Sequence, residues 1–210
     1  MKNLITASAL LAVALFSTLS HAADTAELKV KGVIRPSACV PSFSGGAVVD
    51  YGVIPASVLK KGAYTPMPTR EVALNIKCEA PTKIGFKFVD NRHESIVTEM
   101  MQYPEHNFGL GTVGGKKTGG YTIEMAGVTG DGVAGQVLYS GDSGKSWYQG
   151  ASGLNTWHLF SFNNGGWNPG AYKDVTAKIR VAAIINKPED LDLTREIPLD
   201  GSATIEVIYL

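Results

Sequence analysis

Charge of either sign is not in excess in this chain. Its 210 residues include 19 Lys and Arg and 19 Asp and Glu, which gives a net charge of zero at pH 7. Nucleic acids and anionic membranes are usually bound through clustered Lys and Arg. The balanced composition therefore points to neither nucleic acid nor an anionic membrane surface as the partner.

Residue sets that carry catalysis or bind metals are also missing from the sequence. His93, His106 and His158 do not stand at metal-ligand spacing from one another, from cysteine or from carboxylates. We find no nucleophile, base and acid in a recognisable pattern, and no G-x-S-x-G motif. These absences predict a protein that is not an enzyme and that uses no cofactor or metal.

The sequence has only one long apolar run, over residues 4–19. It follows Lys2 and ends before the tripeptide Ser-His-Ala at 20–22, which puts small residues at the −3 and −1 positions of a cleavage site. The run is shorter than the roughly 20 residues that span a bilayer. We therefore predict a cleaved signal peptide over residues 1–22, a single mature domain over residues 23–210, and export to a bacterial periplasm.

Cysteine is scarce, because Cys39 and Cys78 are the only two in the chain. In an oxidising compartment two such cysteines usually pair. Closing a loop of about 40 residues stabilises a fold by roughly 3–4 kcal/mol in the chain-entropy model. Each cysteine continues the inward-facing register of an alternating run, so we expect the disulfide in or beside the core.

Clusters of Gly, Pro, Asn and Asp interrupt the chain about every ten to fifteen residues, and no stretch beyond the N-terminal run has a clear helical period. Short runs that alternate apolar and polar residues between such clusters are typical of β-strands. The sequence predicts an all-β domain with long loops and one disulfide. The predicted strands are residues 28–35, 48–54, 70–78, 84–88, 121–125, 136–139, 157–162, 176–185 and 203–210.

Several of these runs resemble the subunits of chaperone–usher fimbriae. The resemblance rests on KGVI (31–34) ahead of Cys39, DYGVIPA (50–56), VALNIKC (72–78) and the closing GSATIEVIYL (201–210). More narrowly, the chain resembles a group of fimbria-related exported bacterial proteins, the DUF1120 family. That likeness rests on FGLG (108–111), LYS (138–140) and LDLT (191–194). Together the segments extend over nearly the whole mature chain.

The resemblance to fimbrial subunits implies an immunoglobulin-like, pilin-type β-sandwich that lacks its last strand. A neighbouring subunit would fill the resulting hydrophobic groove with an N-terminal strand, by β-augmentation. A periplasmic pilus chaperone and an outer-membrane usher are the implied assembly partners, with neighbouring copies or other subunits. The implied function is a structural subunit of a fimbria-like surface assembly that contributes to adhesion or biofilm. The implied assembly residues are Leu28 and Val30 in the donor segment, and Ala203, Ile205, Val207 and Tyr209 along the groove.

The segment ahead of the first predicted strand is short for a donor. Residues 23–27 lie between the predicted cleavage site and Leu28, whereas a donor strand needs about ten residues at roughly 3.3 Å each. Either Leu28 and Val30 belong to the donor and the first strand starts at Gly32, or the chain is a poor donor at a fibre end, or the domain is complete by itself. The last case is a second hypothesis, a self-contained periplasmic or secreted binding protein such as a carbohydrate-recognising adhesin.

Two glycine-rich motifs predict turns rather than active sites. Residues 140–147 (SGDSGKSW) fit the Asp-box pattern, in which Asp142 accepts backbone hydrogen bonds, Gly144 takes a positive φ and Trp147 covers the turn. Residues 109–114 match G-x-G-x-x-G, but no helix follows whose N-terminus could hold a phosphate. We expect a structural hairpin at the first motif and a solvated hairpin loop at the second.

Aromatic residues concentrate between positions 147 and 172, among glycines and asparagines. Rings beside amide groups build sugar-binding surfaces, because a sugar has an apolar face and a polar rim. Packing of the core and its loops also needs such residues, and it is the favoured interpretation here. The candidate glycan contacts are Trp147, Trp157 and Trp167, of which Trp167 is the best candidate for an exposed ring.

Overall fold

The computed structural model describes residues 29–33, 38–150 and 153–210. The chain divides into an N-terminal unit that ends at Arg35 and a second unit that starts at Pro36. Within the first unit, the described residues 29–33 have no regular secondary structure. The predicted signal peptide lies outside the described residues.

The regular secondary structure of the second unit consists of β-strands and short 3-10 turns. Its strands are β1 (Cys39–Ser44), β2 (Thr65–Pro66), β3 (Arg70–Asp90), β4 (Phe108–Gly109), β5 (Thr112–Val113), β6 (Lys116–Lys117), β7 (Gly119–Gly130), β8 (Val133–Ala134), β9 (Gln136–Ser140), β10 (Tyr148–Gln149), β11 (Leu159–Asn163), β12 (Ala171–Ile185) and β13 (Ala203–Tyr209). Single 3-10 turns lie at Ala56–Val58, His93–Ser95, Thr98–Met100, Pro104–His106 and Pro188–Asp190. No α-helix occurs among the described residues. The prediction of an all-β domain is confirmed.

Eleven of these strands form one curled sheet in the described part of the chain. The long strand β3 is shared between two layers. Its first part pairs with β1 and β12, and β12 continues the first layer through β7. Its second part pairs with β13 and β11, and β9 and β10 continue the second layer. All of these pairs are antiparallel, and the arrangement is that of a β-sandwich.

The core lies between the two layers and follows the period-2 alternation of the strands. On β3, Leu74 and Ile76 face it from the first layer and Phe86 and Phe88 from the second, and all four are buried. Phe86 stacks on Phe160 of β11, with ring centroids 5.8 Å apart. Burial of such side chains contributes about 1.5–3 kcal/mol each. These central residues hold the two layers together.

The predicted disulfide joins Cys39 at the start of β1 to Cys78 on β3. The two cysteines are opposite each other in the strand register. Cys78 is 5% exposed and belongs to the core, whereas Cys39 is half-buried and packs against it. The disulfide therefore fastens an edge strand to the centre of the sandwich, as expected.

Five of the predicted strands were wrong at least in part. Residues 29–33 of the predicted strand 28–35 form no strand, and Leu28, Ile34 and Arg35 lie outside the described residues. Residues 48–54 are not a strand either, because no described segment pairs with them. The predicted strands 70–78 and 84–88 are one strand, β3, which passes Pro81 without ending. Trp157 and His158 precede β11 instead of starting it.

Candidate functional site

An open groove runs along one side of the sandwich, between the strands β1 and β13. Both are edge strands, since each pairs only with β3 among the described residues. Their outer edges therefore present backbone N–H and C=O groups without a ladder partner, which is the usual template for adding a strand. The groove therefore lies between two unpaired strand edges.

The groove is closed at the end nearest the disulfide. There the backbone N–H of Cys39 donates a hydrogen bond to the hydroxyl of Tyr209, at 2.9 Å. β1 runs away from this point towards Ser44, and β13 arrives at it from Ala203. The two walls are thus tied together at Tyr209 and separate towards the other end.

Beyond the two strands, the walls continue as segments without strand structure, which turn at Gly45 and at residues 193–194. Residues 45–54 follow β1 on one side, and residues 192–199 precede β13 on the other. Neither segment makes a backbone–backbone hydrogen bond with any described residue. Side-chain oxygens accept two of their N–H groups: Asp50 accepts that of Gly52 and Asp192 accepts that of Thr194.

The space between the walls is large and mostly apolar. A cavity of about 450 Å³ lies between Phe43 and Val49 on one wall and Ala203 and Ile205 on the other. A second cavity of about 1020 Å³ continues it between residues 48–59 and 191–199. The two cavities share the lining residues Val48, Val49, Tyr51 and Leu199, so they form one groove.

Inward-facing residues of the groove are only half-buried. Phe43, Val72 and Ile205 pack against the core cluster but remain partly exposed to solvent. Their neighbours Leu74 and Phe86, deeper in the sandwich, are 1% and 0% exposed. Apolar groups that face the core without being covered indicate that the core is unfinished on this side.

Tyr51 fixes the first wall to the sheet. Its hydroxyl donates a hydrogen bond to the carbonyl of Val181 at 3.0 Å and accepts one from the N–H of Ala183 at 3.0 Å. Both backbone groups belong to β12, at the gap between its partners β3 and β2. The side chain of Tyr51 therefore replaces a missing ladder pair and positions the segment around it.

A charged clamp holds the start of the second wall. The guanidinium of Arg92 meets the carboxylate of Asp200 with two bonds, Nε to Oδ2 at 2.8 Å and Nη2 to Oδ1 at 3.0 Å. This pairing lowers the pKa of Asp200. The nearby Asp90, which is buried, accepts the N–H of Arg92 at 2.8 Å and the N–H of Gly109 at 2.8 Å. The clamp leads directly into β13.

The structure places the predicted assembly residues as follows. Ala203 and Ile205 line the groove, and Val207 is half-buried against the same core. Tyr209 closes the narrow end with its hydroxyl. Val30 lies in the described segment without regular structure, and Leu28 lies outside the described residues. The continuation of the walls over 45–54 and 192–199 was not predicted, although alternation at Val49, Tyr51, Ile197 and Leu199 was visible.

The Asp-box motif forms the predicted hairpin between β9 and β10. Oδ1 of Asp142 accepts hydrogen bonds from the N–H of Ser146 at 2.9 Å, the N–H of Lys145 at 3.1 Å and the hydroxyl of Ser140 at 2.7 Å. Gly144 has a φ of +92°. The indole N–H of Trp147 donates to the carbonyl of Gly144 at 3.1 Å. The polar groups of the motif therefore form hydrogen bonds within the hairpin itself.

Only the second half of the G-x-G-x-x-G match forms the predicted solvated hairpin loop, because Gly109, Leu110 and Gly111 are buried. Thr112 pairs with Lys117 and Val113 with Lys116 across the turn at Gly114 and Gly115. The chain continues directly into β7 rather than into a helix. The segment therefore offers no helix N-terminus to a phosphate.

The three predicted glycan-contact tryptophans do not share one surface. Trp147 is half-buried and its indole N–H is used inside the hairpin. Trp157 and Trp167 are 71% and 63% exposed, but they lie before and after β11, at its opposite ends. Trp167 is an exposed ring, as expected.

The described residues hold no group of His, Cys, Asp or Glu that could bind a metal ion. No helix among them is long and apolar enough to cross a membrane. No free cysteine occurs in this part of the chain.

Comparison with known proteins bears on the family. Residues 28–122 match a family model described as Protein of unknown function (DUF1120). The chain is thus similar to the DUF1120 family. It is 29% identical over 258 aligned residues to Protein GltF of Escherichia coli K12, covering 100% of this chain and 98% of that protein. It is 27% identical over 230 residues to Uncharacterized protein YhcF of the same organism, covering 94% and 95% of the two chains.

Proposed function

We propose that the chain is an exported, non-enzymatic structural subunit of a fimbria-like surface assembly. Its groove would accept a strand from a neighbouring subunit by β-augmentation. The observation that carries this proposal is the open groove, lined largely by apolar side chains, between the outer edges of β1 and β13, which have no ladder partner among the described residues. The resemblance of the closing segment 201–210 to fimbrial subunits supports the same function.

A strand in the groove would both pair with open strand edges and cover exposed apolar side chains. It would pair with the unpaired edges of β1 and β13, which otherwise invite unspecific association. It would also cover the half-buried side chains of Phe43, Val72 and Ile205. Burial of apolar area stabilises by roughly 25 cal/mol per Å², so a fitted strand with apolar residues at alternate positions would be held strongly.

The same chemistry defines the partners and the route. An uncovered groove is an aggregation hazard, so a periplasmic chaperone would occupy it before assembly. An outer-membrane usher would then exchange the chaperone for the strand of the next subunit. The predicted signal peptide over residues 1–22 directs the chain into this route, which ends at the cell surface or outside the cell.

The proposal is tested by electrophoresis of surface-sheared and periplasmic protein in SDS, with and without boiling. Strand-exchanged polymers resist SDS until heated, because separating two subunits requires removing a whole strand from a buried groove. We expect a ladder that collapses on boiling to one band near the mature mass. A monomer in both lanes, with a yield that needs no chaperone, would contradict the proposal and favour a self-contained binding protein.

A matched pair of variants on β13 locates the effect in the groove. Ile205→Lys places a charge on the groove wall, whereas Glu206→Lys places the same charge on the exposed opposite face of the strand. We expect the ladder to be lost in the first variant and kept in the second. Circular dichroism of both monomers checks that each still folds.

A further inference from the structure

A row of three aromatic rings lies at the edge of the sandwich opposite the groove. The rings of Tyr139 on β9 and Tyr148 on β10 have centroids 5.5 Å apart. The ring of His158, just before β11, lies 5.3 Å from Tyr139 on the other side. Tyr148 is 53% exposed, and the other two rings are partly exposed. The planes of Tyr139 and Tyr148 are tilted by 31° and His158 stands at 63° to Tyr139, so the three rings form an uneven aromatic surface that is partly open to solvent.

The polar tips of these rings are free among the described residues. Neither the Tyr139 hydroxyl nor the Tyr148 hydroxyl has a hydrogen-bond partner there. Asn155 determines the tautomer of His158. The Oδ1 atom of Asn155 accepts the backbone N–H of His158 at 2.9 Å, so the Nδ2 group of Asn155 is the donor to the ring Nδ1 of His158 at 2.8 Å. The ring proton therefore sits on Nε2, as assigned from this network, and points away from Asn155 as a free donor.

The row is held rigidly by its surroundings. The Asp-box hairpin sets Tyr148 opposite Tyr139 in the β9–β10 register. Asn155 is 2% exposed and fixes the turn that carries His158. Gly141 leaves the polar edge of His158 uncovered, because a Cβ there would lie 3.6 Å from Cδ2 and 3.7 Å from Nε2 of that ring. Little conformational entropy would be lost when a ligand binds such a surface.

We propose that Tyr139, Tyr148 and His158 form a binding site for a pyranose sugar. The exposed ring of Tyr148 matches the apolar C–H face of a sugar, and the two hydroxyls and the imidazole N–H match its hydroxyl rim. The site does not depend on the groove, because β3, β11 and β9 lie between β13 and β10 in the second layer. A subunit with its groove filled would keep this edge available at the surface.

The test is saturation-transfer NMR of the full mature chain with four probes, the methyl glycosides of glucose, galactose, mannose and N-acetylglucosamine. We expect transfer to the ring C–H protons of at least one probe. Tyr148→Ala is expected to weaken that binding about tenfold, whereas Tyr148→Phe keeps the ring and most of the affinity. Gly141→Leu covers the His158 edge without backbone strain, since the φ of Gly141 is not positive, and is expected to abolish binding.

Trp167→Ala is the control, because Trp167 is an exposed ring beyond the far end of β11. It should leave binding unchanged. The site is overturned if none of the four glycosides shows transfer, if Tyr148→Ala and Gly141→Leu both bind like the original chain, or if Trp167→Ala alone removes the signal. Thermal melts of each variant show whether a lost signal reflects a lost fold, and Tyr148→Phe gives a second reading where the alanine variant is unstable.

Discussion

At the scale of single residues, one carboxylate organises the hairpin that carries Tyr148. The N–H of Ser146 contributes most to lowering the pKa of Asp142 to about 2, followed by the hydroxyl of Ser140. The ordinary value of such a carboxyl is 3.8. The folded hairpin therefore stabilises the charged form of Asp142.

This lowered pKa predicts a pH dependence of the hairpin. Since the folded pKa lies below the unfolded one, the contribution of Asp142 is present above pH 4 and is lost as the pH falls from about 4 towards 2. We expect the amide resonance of Ser146 to shift in this window. Asp192 also has a pKa of about 2, so Asp142→Asn is the comparison that isolates the effect. An unchanged loss of stability in Asp142→Asn would assign the acid transition to other groups.

Tyr51 makes a second prediction at this scale. Tyr51→Phe removes the hydroxyl that serves both Val181 and Ala183 and leaves two partly buried backbone groups without their partner. We expect the free energy of unfolding to fall by about 1–3 kcal/mol, measured in urea. Tyr64→Phe is the matched control, because the Tyr64 ring lies under Lys187 and its hydroxyl has no partner among the described residues. Equal losses in both variants would contradict the role of Tyr51.

At the scale of elements, alternation in the sequence predicted which residues face the core better than which segments pair. In residues 48–54 the half-buried side chains are Val49, Tyr51 and Ile54, so the alternation is broken after Tyr51, at Gly52, and the segment forms no strand. Alternation reports an inner and an outer face, whereas a strand also requires a neighbour at hydrogen-bonding distance. The missing neighbour is what makes this segment a wall of the groove.

The continuity of β3 could not be predicted for a related reason. Pro81 cannot donate to a ladder, and it lies between the two predicted strands 70–78 and 84–88. In the fold it lies where β3 passes from the first layer to the second, between the pairings of Cys78 with Cys39 and of Thr82 with Tyr172. The missing N–H of Pro81 leaves no ladder bond unmade there, because β3 changes its partner from β1 to β13 between Cys78 and Ile84.

The aromatic edge shows a limit of motif reasoning. Tyr139 and His158 are 19 positions apart in the sequence and meet only because β9 and β11 are neighbours. The sequence directed attention to the tryptophans, since these are the largest rings. The disulfide was predictable because the chain has only two cysteines. The Asp box was predictable because it is a local turn.

The disulfide supports a prediction about β1 as an element. Replacing both Cys39 and Cys78 by Ser should lower the free energy of unfolding by roughly 3–4 kcal/mol in the chain-entropy model. β1 should also exchange its amide protons faster, because the bridge fastens this edge strand to β3. Chemical denaturation with hydrogen exchange measures both, and reduction of the original chain should reproduce the result. A loss below about 1 kcal/mol would show that strand pairing alone holds β1.

At the scale of the whole molecule, the two candidate surfaces lie at opposite edges of the second layer. β13 borders the groove at one edge, and β9 and β10 carry the aromatic row at the other. An assembly joined through the groove would therefore repeat the aromatic edge once in each subunit. Weak sugar contacts repeated along a fibre would add up through effective concentration, without any single tight site.

The partly exposed apolar side chains of the groove lead to the last prediction. A copy of residues 23–34, which includes the predicted donor residues Leu28 and Val30, is appended after Leu210 through a flexible Gly/Ser linker. If the copy fills the groove at an effective concentration about a thousand times its dissociation constant, it stabilises by roughly 4 kcal/mol, or of the order of 10 °C in Tm for a domain of this size. The control carries Asp at both donor positions of the copy, where a charge would enter the apolar groove, and should melt with the original chain. Equal melting of all three chains would show that this segment does not fit the groove, because a bound strand must raise the stability of the state that binds it.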